Sequence, residues 1–272
     1  GVKPTGALPE SLDFGLRHAP EPLKFDVVML ADPQPADDAE IGYFREQIVS
    51  PLSGVQAAFG LTLGDVMGDN LSLYERYNRV VAQIGLPWWN LPGNHDLNLD
   101  APHGRYGRES WKRVFGPTTY AFEYGGATFV MFDNVEWPGR GQRYSGYLGE
   151  GNLAFLRNLL ARTPRDRLVV LCMHIPLMSA ADPHDPGSNT RDRDALLSLI
   201  SGRPCVSFAG HMHTTEHHYL PLPNGDVHHH HVLTAASGSW WSGPQDARGL
   251  PLAQSCDGTP NGWHMLSVDS QS

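Results

Sequence analysis

The chain has 272 residues, of which 40% are hydrophobic and 18% charged, so it is long enough for one large globular domain or two small ones. Its net charge of −9 with neutral histidines argues against a nucleic-acid-binding surface as the main function. No apolar run approaches the roughly 18 residues that a membrane helix needs, so we expect no membrane span.

The first part of the chain alternates predicted strands and helices. Residues 1–24 contain four prolines and show no periodicity, so we predict an irregular segment that wraps the domain. The apolar spacing then predicts a strand over 25–31, a helix over 38–50, a strand over 57–63, a helix over 72–84 and a strand over 88–91.

The second part begins with a predicted hairpin across Gly125-Gly126. Its strands cover 119–124 and 127–133, and a long loop follows over 134–149. The later elements are a helix over 151–161, a strand over 168–173, a helix over 191–201 and strands over 205–209, 216–220 and 228–236. This order predicts an α/β fold with mixed sheets, in one domain over 25–272 whose residues 237–272 form a C-terminal extension.

Five polar clusters each follow a predicted strand. They are Asp32-Pro33-Gln34, Gly64-Asp65, Gly93-Asn94-His95-Asp96, His174 and Gly210-His211-Met212-His213. Open α/β sheets place ligands beyond the carboxyl ends of their strands, so we expect these side chains to meet. Mixed nitrogen and oxygen ligands suit Mn, Fe, Zn or Co, and there are enough of them here for two metal ions.

Each cluster also has a structural interpretation when taken alone. Asp-Pro-Gln is a common turn, and a single His174 is more often a hydrogen-bonded histidine at the end of a strand. The joint occurrence of all five clusters, in one order and each after a strand, favours the metal site.

The order of the clusters resembles the calcineurin-like metallophosphoesterase superfamily. The pattern of that superfamily runs Asp-x-His, Gly-Asp, Gly-Asn-His-Asp/Glu, His and Gly-His-x-His, and its counterpart here spans residues 32–213. The resemblance implies a four-layer α/β/β/α sandwich of two mixed sheets. It also implies a dinuclear site, in which two cations bind the phosphate ester and activate the water that attacks phosphorus.

The resemblance assigns a role to each of these residues. It implies that one metal is bound by Asp32, Gln34, Asp65 and His213. It implies that the other is bound by Asp65, Asn94, His174 and His211, with Asp65 as the bridge. His95 would contact the substrate and assist the leaving group, and Asp96 would orient His95.

Two positions depart from patterns within the superfamily. Gln34 stands where the commonest pattern has histidine, and an amide oxygen is a weaker ligand than an imidazole. The purple acid phosphatase branch has a tyrosine at the position of Gly68, so membership of that branch is not expected.

The function predicted from these residues is hydrolysis of a small organic phosphate, such as a sugar phosphate or a nucleotide derivative. The residues expected to contact the substrate are Asn134, Arg140, Arg143, Tyr144, Trp240 and Trp241. An arginine pair suits a phosphate, and exposed aromatic rings suit a sugar or a base. The alternatives are a phosphodiesterase or pyrophosphatase of the same superfamily, or a metal-binding scaffold without turnover.

Three features remain open in the sequence. The tail from Gly238 resembles segments of larger bacterial calcineurin-like phosphoesterases. The chain is therefore either a minimal relative of these proteins or a fragment of one. The candidate location is outside the cytoplasm of a bacterium, after export. Cys172 and Cys205 lie in predicted strands and are expected to be free buried thiols, which leaves the compartment unassigned. The run His228–His231 alternates between two faces of a predicted strand, and we favour a structural role over a third metal site.

Overall fold

Two β-sheets packed face to face lie at the centre of the fold, and helices cover both outer sides. The computed structural model describes residues 11 and 20–270. The two sheets are both mixed, which confirms the predicted α/β/β/α arrangement. The prediction for residues 1–24 lies largely outside the described residues.

The described residues form twelve strands, ten of them in the two large sheets and two in a separate two-stranded sheet. They are β1 (Lys24–Leu30), β2 (Phe59–Leu63), β3 (Trp88–Leu91), β4 (Tyr120–Tyr124), β5 (Ala127–Met131), β6 (Val135–Glu136), β7 (Ser145–Gly146), β8 (Val169–Cys172), β9 (Cys205–Ala209), β10 (Glu216–Pro221), β11 (Val227–Val232) and β12 (His264–Asp269). The helices are α1 (Asp38–Phe44), α2 (Ser50–Leu52), α3 (Tyr74–Val81), α4 (Glu109–Phe115), α5 (Gly149–Leu160) and α6 (Arg193–Ile200).

The first sheet has the order β12-β1-β2-β3, and the second has the order β10-β11-β9-β8-β5-β4. Strands β1, β2 and β3 run parallel, as do β5, β8, β9 and β11. Antiparallel strands β12, β10 and β4 form three of the four edges, and the parallel strand β3 forms the fourth. The carboxyl ends of the parallel strands therefore lie along the same edge of each sheet, where α/β folds bind their ligands.

The core consists of three apolar layers. In β1, Val27 belongs to the layer between the sheets, together with Phe59 and Phe129. The next residue, Val28, belongs to a layer under α1 and α3. A third layer joins β8 to α5 and α6. The central strands are thus buried on both faces, which explains why they appear in the sequence as continuous apolar runs.

The elements depart from the predictions in a few places. The predicted helix over 38–50 consists of α1, a π-helical stretch Arg45–Val49 and α2. Neither α4 nor β12 was predicted, because α4 is only one to two turns long and β12 alternates half-buried and exposed positions. Cys172 is buried as expected, Cys205 is half-buried, and both are free thiols. Among the described residues, no helix is both long and apolar enough to cross a bilayer.

Candidate metal centre

The predicted ligands lie just beyond the ends of five strands. Asp32 follows β1 by two residues, Asp65 follows β2 by two, and Asn94 follows β3 by three. His174 and His211 each stand two residues beyond β8 and β9. Backbone hydrogen bonds connect these strand ends across each sheet, from Gln34 N to Asp65 O at 3.0 Å and from Gly210 N to His174 O at 3.1 Å.

Left-handed backbone is concentrated at this edge. The ligand candidates with positive φ are Asp32 (50°), Gln34 (43°), Asp65 (48°), His211 (75°) and His213 (50°). The other non-glycine residues with positive φ in the described part of the chain are Asp69, Trp240 and Trp241, which border the same region. Each such residue costs about 1–3 kcal/mol, so the fold tolerates strain here to aim these side chains.

His174 is the centre of one group of ligand atoms. Its Nε2 lies 3.0 Å from Asn94 Oδ1, 3.2 Å from Asp65 Oδ1 and 3.2 Å from His211 Nδ1. Its Nδ1 lies 2.9 Å from the carbonyl oxygen of Leu63 and donates to it, which leaves Nε2 free to bind a cation. The four side chains that the resemblance assigns to one metal therefore converge on a single point.

The other predicted group adjoins the first through Asp65. Gln34 Nε2 donates to Asp65 Oδ2 at 2.8 Å, whereas Asp65 Oδ1 faces His174. His213 Nε2 lies 3.7 Å from Asp32 Oδ1, and its Nδ1 bonds the carbonyl oxygen of Gly238. Gln34 Oε1 is buried without a hydrogen-bond partner, which fits an oxygen that binds a metal.

The charges of this region are strongly coupled. Burial would raise the pKa of Asp65, but the positive charges of His174 and His95 hold it well below its usual range. Burial would lower the pKa of His174, but the charge of Asp65 raises it to about 9. Burial, and then the charge of His174, lower the pKa of His211 to about 3. A cation at this point would replace the proton that His174 and Asp65 share, as metal binding generally does.

Two glycines allow the carboxylates to approach the backbone. A Cβ atom on Gly93 would overlap the carboxylate of Asp65, and one on Gly210 would overlap the carboxylate of Asp32. The Gly-Asn-His-Asp and Gly-His-Met-His clusters thus begin with glycine because a side chain there would displace a ligand. The donor set, the buried free oxygen and these close approaches all fit a two-metal centre.

The side chain that orients His95 is Asp69 and not the predicted Asp96. The Nδ1 atom of His95 lies 2.8 Å from Asp69 Oδ1, and the backbone nitrogen of His95 donates to Asp65 Oδ1 at 2.9 Å. Burial lowers the pKa of His95, but the charges of Asp65 and Asp69 outweigh this effect and raise it to about 9. Asp69 was not predicted, although it lies in the loop that carries Asp65 and could have been considered on that ground.

The expectation that Asp96 orients His95 is wrong. The carboxylate of Asp96 is fully buried and accepts hydrogen bonds from the backbone nitrogens of Val66, Met67 and Gly93 and from the hydroxyl of Tyr74. It therefore holds the loop after β2 against the loop after β3. Burial, and then the charge of Asp65, raise its pKa to about 6.

Two of the predicted substrate contacts adjoin the centre. Tyr144 packs edge-on against the imidazole of His211 with ring centroids 5.8 Å apart. Trp240 lies over His213 with centroids 4.6 Å apart, and it is 55% exposed. These aromatic side chains flank the two sets of ligands and leave one face of the indole in solvent.

Two others have structural roles, which corrects the prediction. Trp241 is buried against Phe44, and its Nε1 donates to the carbonyl oxygen of Pro33 at 2.8 Å. Asn134 is buried, and its Oδ1 accepts from the backbone nitrogen of His174 at 3.2 Å. Its Nδ2 donates to the carbonyl oxygen of Ile175, so neither end of the amide is free for a substrate.

The two arginines of the loop are at the surface. The Arg140 guanidinium is mostly exposed and lies 3.9 Å from Asp100. Arg143 is also exposed and lies 3.5 Å from Asp185. Neither arginine contacts a ligand candidate, so a phosphate-binding role for them stays a prediction.

Comparison with known sequences identifies the family. A sequence model described as calcineurin-like phosphoesterase matches residues 27–215, and one described as the C terminal of calcineurin-like phosphoesterase matches residues 230–272. The chain belongs to the calcineurin-like phosphoesterase family. It is also similar to a probable cyclic nucleotide phosphodiesterase of Rhodopseudomonas palustris, at 30% identity over 57% of this chain and 57% of that protein. The match therefore spans little more than half of that relative.

Solved structures of other phosphoesterases share the fold. A purple acid phosphatase from yellow lupin (Lupinus luteus) seeds superposes with a TM-score of 0.60 over 92% of this chain and 51% of its own, at 14% identity. A dimetal phosphatase from Danio rerio has a TM-score of 0.58 over 79% and 88%, at 16% identity. At these identities the likeness concerns the calcineurin-like fold alone.

Proposed function

We propose that this chain is a dinuclear metal-dependent hydrolase of phosphate esters. The single observation that carries the proposal is the convergence of Asp65, Asn94 and His211 on Nε2 of His174, each within 3.2 Å. The residues that would hold the two ions are Asp32, Gln34, Asp65, Asn94, His174, His211 and His213. Two bound cations supply Lewis-acid stabilisation of the phosphate oxygens and a water of lowered pKa.

A side chain of the protein would act as the acid that assists the leaving group. We assign this role to His95, which is attached to the Asp65 carboxylate through its backbone and fixed at Nδ1 by Asp69. Its Nε2 is then the atom that gives a hydrogen bond or proton to the departing oxygen. Asp69 orients the His95 ring, so a bond from His95 to a metal is not needed to hold the ring in place.

The aromatic side chains favour a substrate that carries a ring. Trp240 is exposed and packs on His213, and Tyr144 packs on His211. A sugar or base can stack on such a surface while its phosphate lies between the two sets of ligands. We therefore place a sugar phosphate or nucleotide derivative first among the candidate substrates.

A second candidate is a cyclic nucleotide diester. It is favoured by the name of the Rhodopseudomonas palustris relative, a probable cyclic nucleotide phosphodiesterase. The same ring-binding surface and the same pair of cations would serve a diester, since the leaving group of a cyclic diester is a hydroxyl of its own sugar.

Activity against a panel of substrates tests the proposal. The metal-free protein would be reloaded with Mn, Fe, Zn or Co and assayed on sugar phosphates, nucleotides, cyclic nucleotides and an aryl phosphate. We expect turnover that returns with metal, a 10²–10⁴-fold loss in His95→Ala with metal retained, and a loss of metal in His211→Ala. A reloaded protein that binds two metals and hydrolyses none of these compounds would instead support the scaffold without turnover.

A further inference from the structure

The histidine run of β11 divides between the two faces of the six-stranded sheet. On one face, His228 Nε2 and His230 Nδ1 both lie 2.7 Å from the hydroxyl of Ser207. His230 Nε2 also accepts from the backbone nitrogen of Leu177 at 3.1 Å. These hydrogen bonds give both buried histidines structural partners, as expected for this half of the run, although His228 Nδ1 itself has none among the described residues.

The other face carries a histidine cluster that the dinuclear centre does not use. In the antiparallel pair β10–β11, His217 is directly opposite His231, and His229 lies two residues before His231 on the same face. His217, His229 and His231 each offer a ring nitrogen, and these three atoms all lie within 4.8 Å of one another. The ring centroids of His229 and His231 are 3.8 Å apart, and those of His217 and His231 are 4.7 Å apart.

The surroundings hold these rings in place and leave one side open. Phe208 stacks on His231 with centroids 5.0 Å apart, and Tyr219 stacks on His229 at 4.5 Å. A cavity of about 290 Å³ adjoins the cluster and is lined by His217, His231 and also His264 of β12, in the other sheet. His217 is exposed, so a cation can reach the cluster from solvent.

Two buried ring nitrogens at this cluster have no hydrogen-bond partner in the described part of the protein. His229 Nε2 and His264 Nε2 are both buried without a hydrogen-bond partner. A buried imidazole nitrogen without a hydrogen-bond partner is unfavourable, and the stacking of the rings on one another does not supply that partner.

We propose that His217, His229 and His231 form a third transition-metal site, separate from the strand-end centre. Three imidazoles without a carboxylate or thiolate are a ligand set that suits Zn²⁺. A tetrahedral zinc ion with Zn–N bonds of about 2.0–2.1 Å brings its nitrogens to roughly 3.4 Å from one another, so the rings need to move by only about 1 Å. The fourth position is open to water or to His264.

Such an ion would link β10 to β11 at the edge of the sheet. It would also lie beside β12, so that with His264 as a ligand it would connect the two sheets. We assign it a stabilising role, because it would contact no residue of the proposed catalytic centre.

Zinc stoichiometry tests the proposal. The whole protein would be equilibrated with buffered Zn²⁺ and its zinc counted by elemental analysis. We expect three ions per chain in the natural protein and two in the His217→Gln/His231→Gln double variant, with at least a 10-fold weaker third site. His184→Gln, at an exposed histidine that is not part of the cluster, should keep all three. His211→Ala should lose metal from the strand-end centre and retain the ion at this cluster.

A stability measurement gives a second readout. Zinc at about 100 times the dissociation constant of the third site should raise the Tm of the natural protein by roughly 5 °C more than that of the double variant. If the double variant does not fold, His217→Gln alone serves, because this side chain is exposed. Equal zinc content and equal Tm shifts in the natural and variant proteins would overturn the proposal.

Discussion

Asp69 lies 2.8 Å from Nδ1 of His95, although the two residues come from loops that follow different strands. The bond fixes the imidazole ring and directs its Nε2 away from the carboxylate. The proposed catalytic histidine therefore depends on Asp69 for its orientation, and Asp69 is not among the proposed metal ligands.

Replacement of Asp69 should therefore affect turnover and spare the metals. We expect Asp69→Asn to lower kcat by roughly 10-fold or more, because a misdirected acid loses much of its effect on the leaving group. Metal content and KM should stay close to those of the natural protein, and Asp69→Glu should recover part of the loss. Asp38→Asn, at a surface ion pair with Arg76, is the control and should change none of these quantities. Loss of metal in Asp69→Asn would contradict the assignment.

Asp96 should behave in the opposite way. Its buried carboxylate accepts four hydrogen bonds, three from backbone nitrogens and one from Tyr74. In Asp96→Asn, an amide NH₂ group would face donors, so we expect a loss of about 2–4 kcal/mol in the free energy of unfolding. Denaturant titration of the metal-free protein measures this loss directly. An unchanged stability with a large fall in kcat would restore Asp96 to a catalytic role.

Gly93 should tolerate no side chain. Because a Cβ atom there would overlap the Asp65 carboxylate, Gly93→Ala should displace Asp65 and weaken metal binding by at least 10-fold, as competition with a chelator would show. Gly42→Ala is the matched control. Gly42 lies in α1 with no atom within 4 Å of an added Cβ, so the alanine should stabilise the protein by about 0.5–1 kcal/mol. Equal metal affinity in the two variants would show that Asp65 can move freely.

Gln34 is the weakest of the proposed ligands. Its Nε2 is engaged by Asp65 and its Oε1 is buried without a partner, which leaves one neutral oxygen for the metal. Gln34→His should slow the release of the more readily exchanged ion, because an imidazole binds borderline cations better than an amide does. The rate of metal loss to a chelator measures this effect. A variant that releases the ion faster would indicate that the main role of Gln34 is the hydrogen bond to Asp65.

The adjacent tryptophans 240 and 241 should give contrasting variants. Trp240 is 55% exposed above His213, so Trp240→Ala should raise KM for a ring-bearing substrate, leave a ring-free alkyl phosphate nearly unchanged and alter stability by less than about 0.5 kcal/mol. Trp241 is buried against Phe44, so Trp241→Ala should cost about 3–5 kcal/mol. Kinetics on both substrates and thermal unfolding separate the two outcomes. A KM effect shared by both substrates in Trp240→Ala would remove the support for a ring preference.

The central strands could be predicted closely from the sequence. Strand β9 has the predicted bounds, because a parallel strand inside a sheet is a short apolar run between polar turns, and the half-buried edge strand β3 has them too. Strand β12 could not be found in this way. It is an edge strand with only one fully buried residue, Val268, and its pairing with β1 depends on residues more than 200 positions away.

The residues of the candidate site also divide into those that the sequence could predict and those that it could not. The ligand candidates were visible because they follow apolar strands at regular spacing, and the structure brings them together. Asp69 has no such signal, since an aspartate in a loop is common and only the folded loop places it at His95. Asn134 was assigned to substrate for the opposite reason. Its polarity and loop position were visible, but the three backbone groups that occupy its amide were not.

The pairing of β1 with β12 has a consequence for the order of folding. Lys24 is opposite Asp269, so the strand that carries Asp32 at its end acquires its second neighbour only from the last strand of the described chain. During synthesis, β1 can pair with β2 early, but its other edge stays open until β12, more than 200 residues later, has left the ribosome. The first sheet is thus closed by two strands that lie far apart in the sequence, and a shortened chain that lacks β12 would expose an unpaired edge beside the proposed metal ligands.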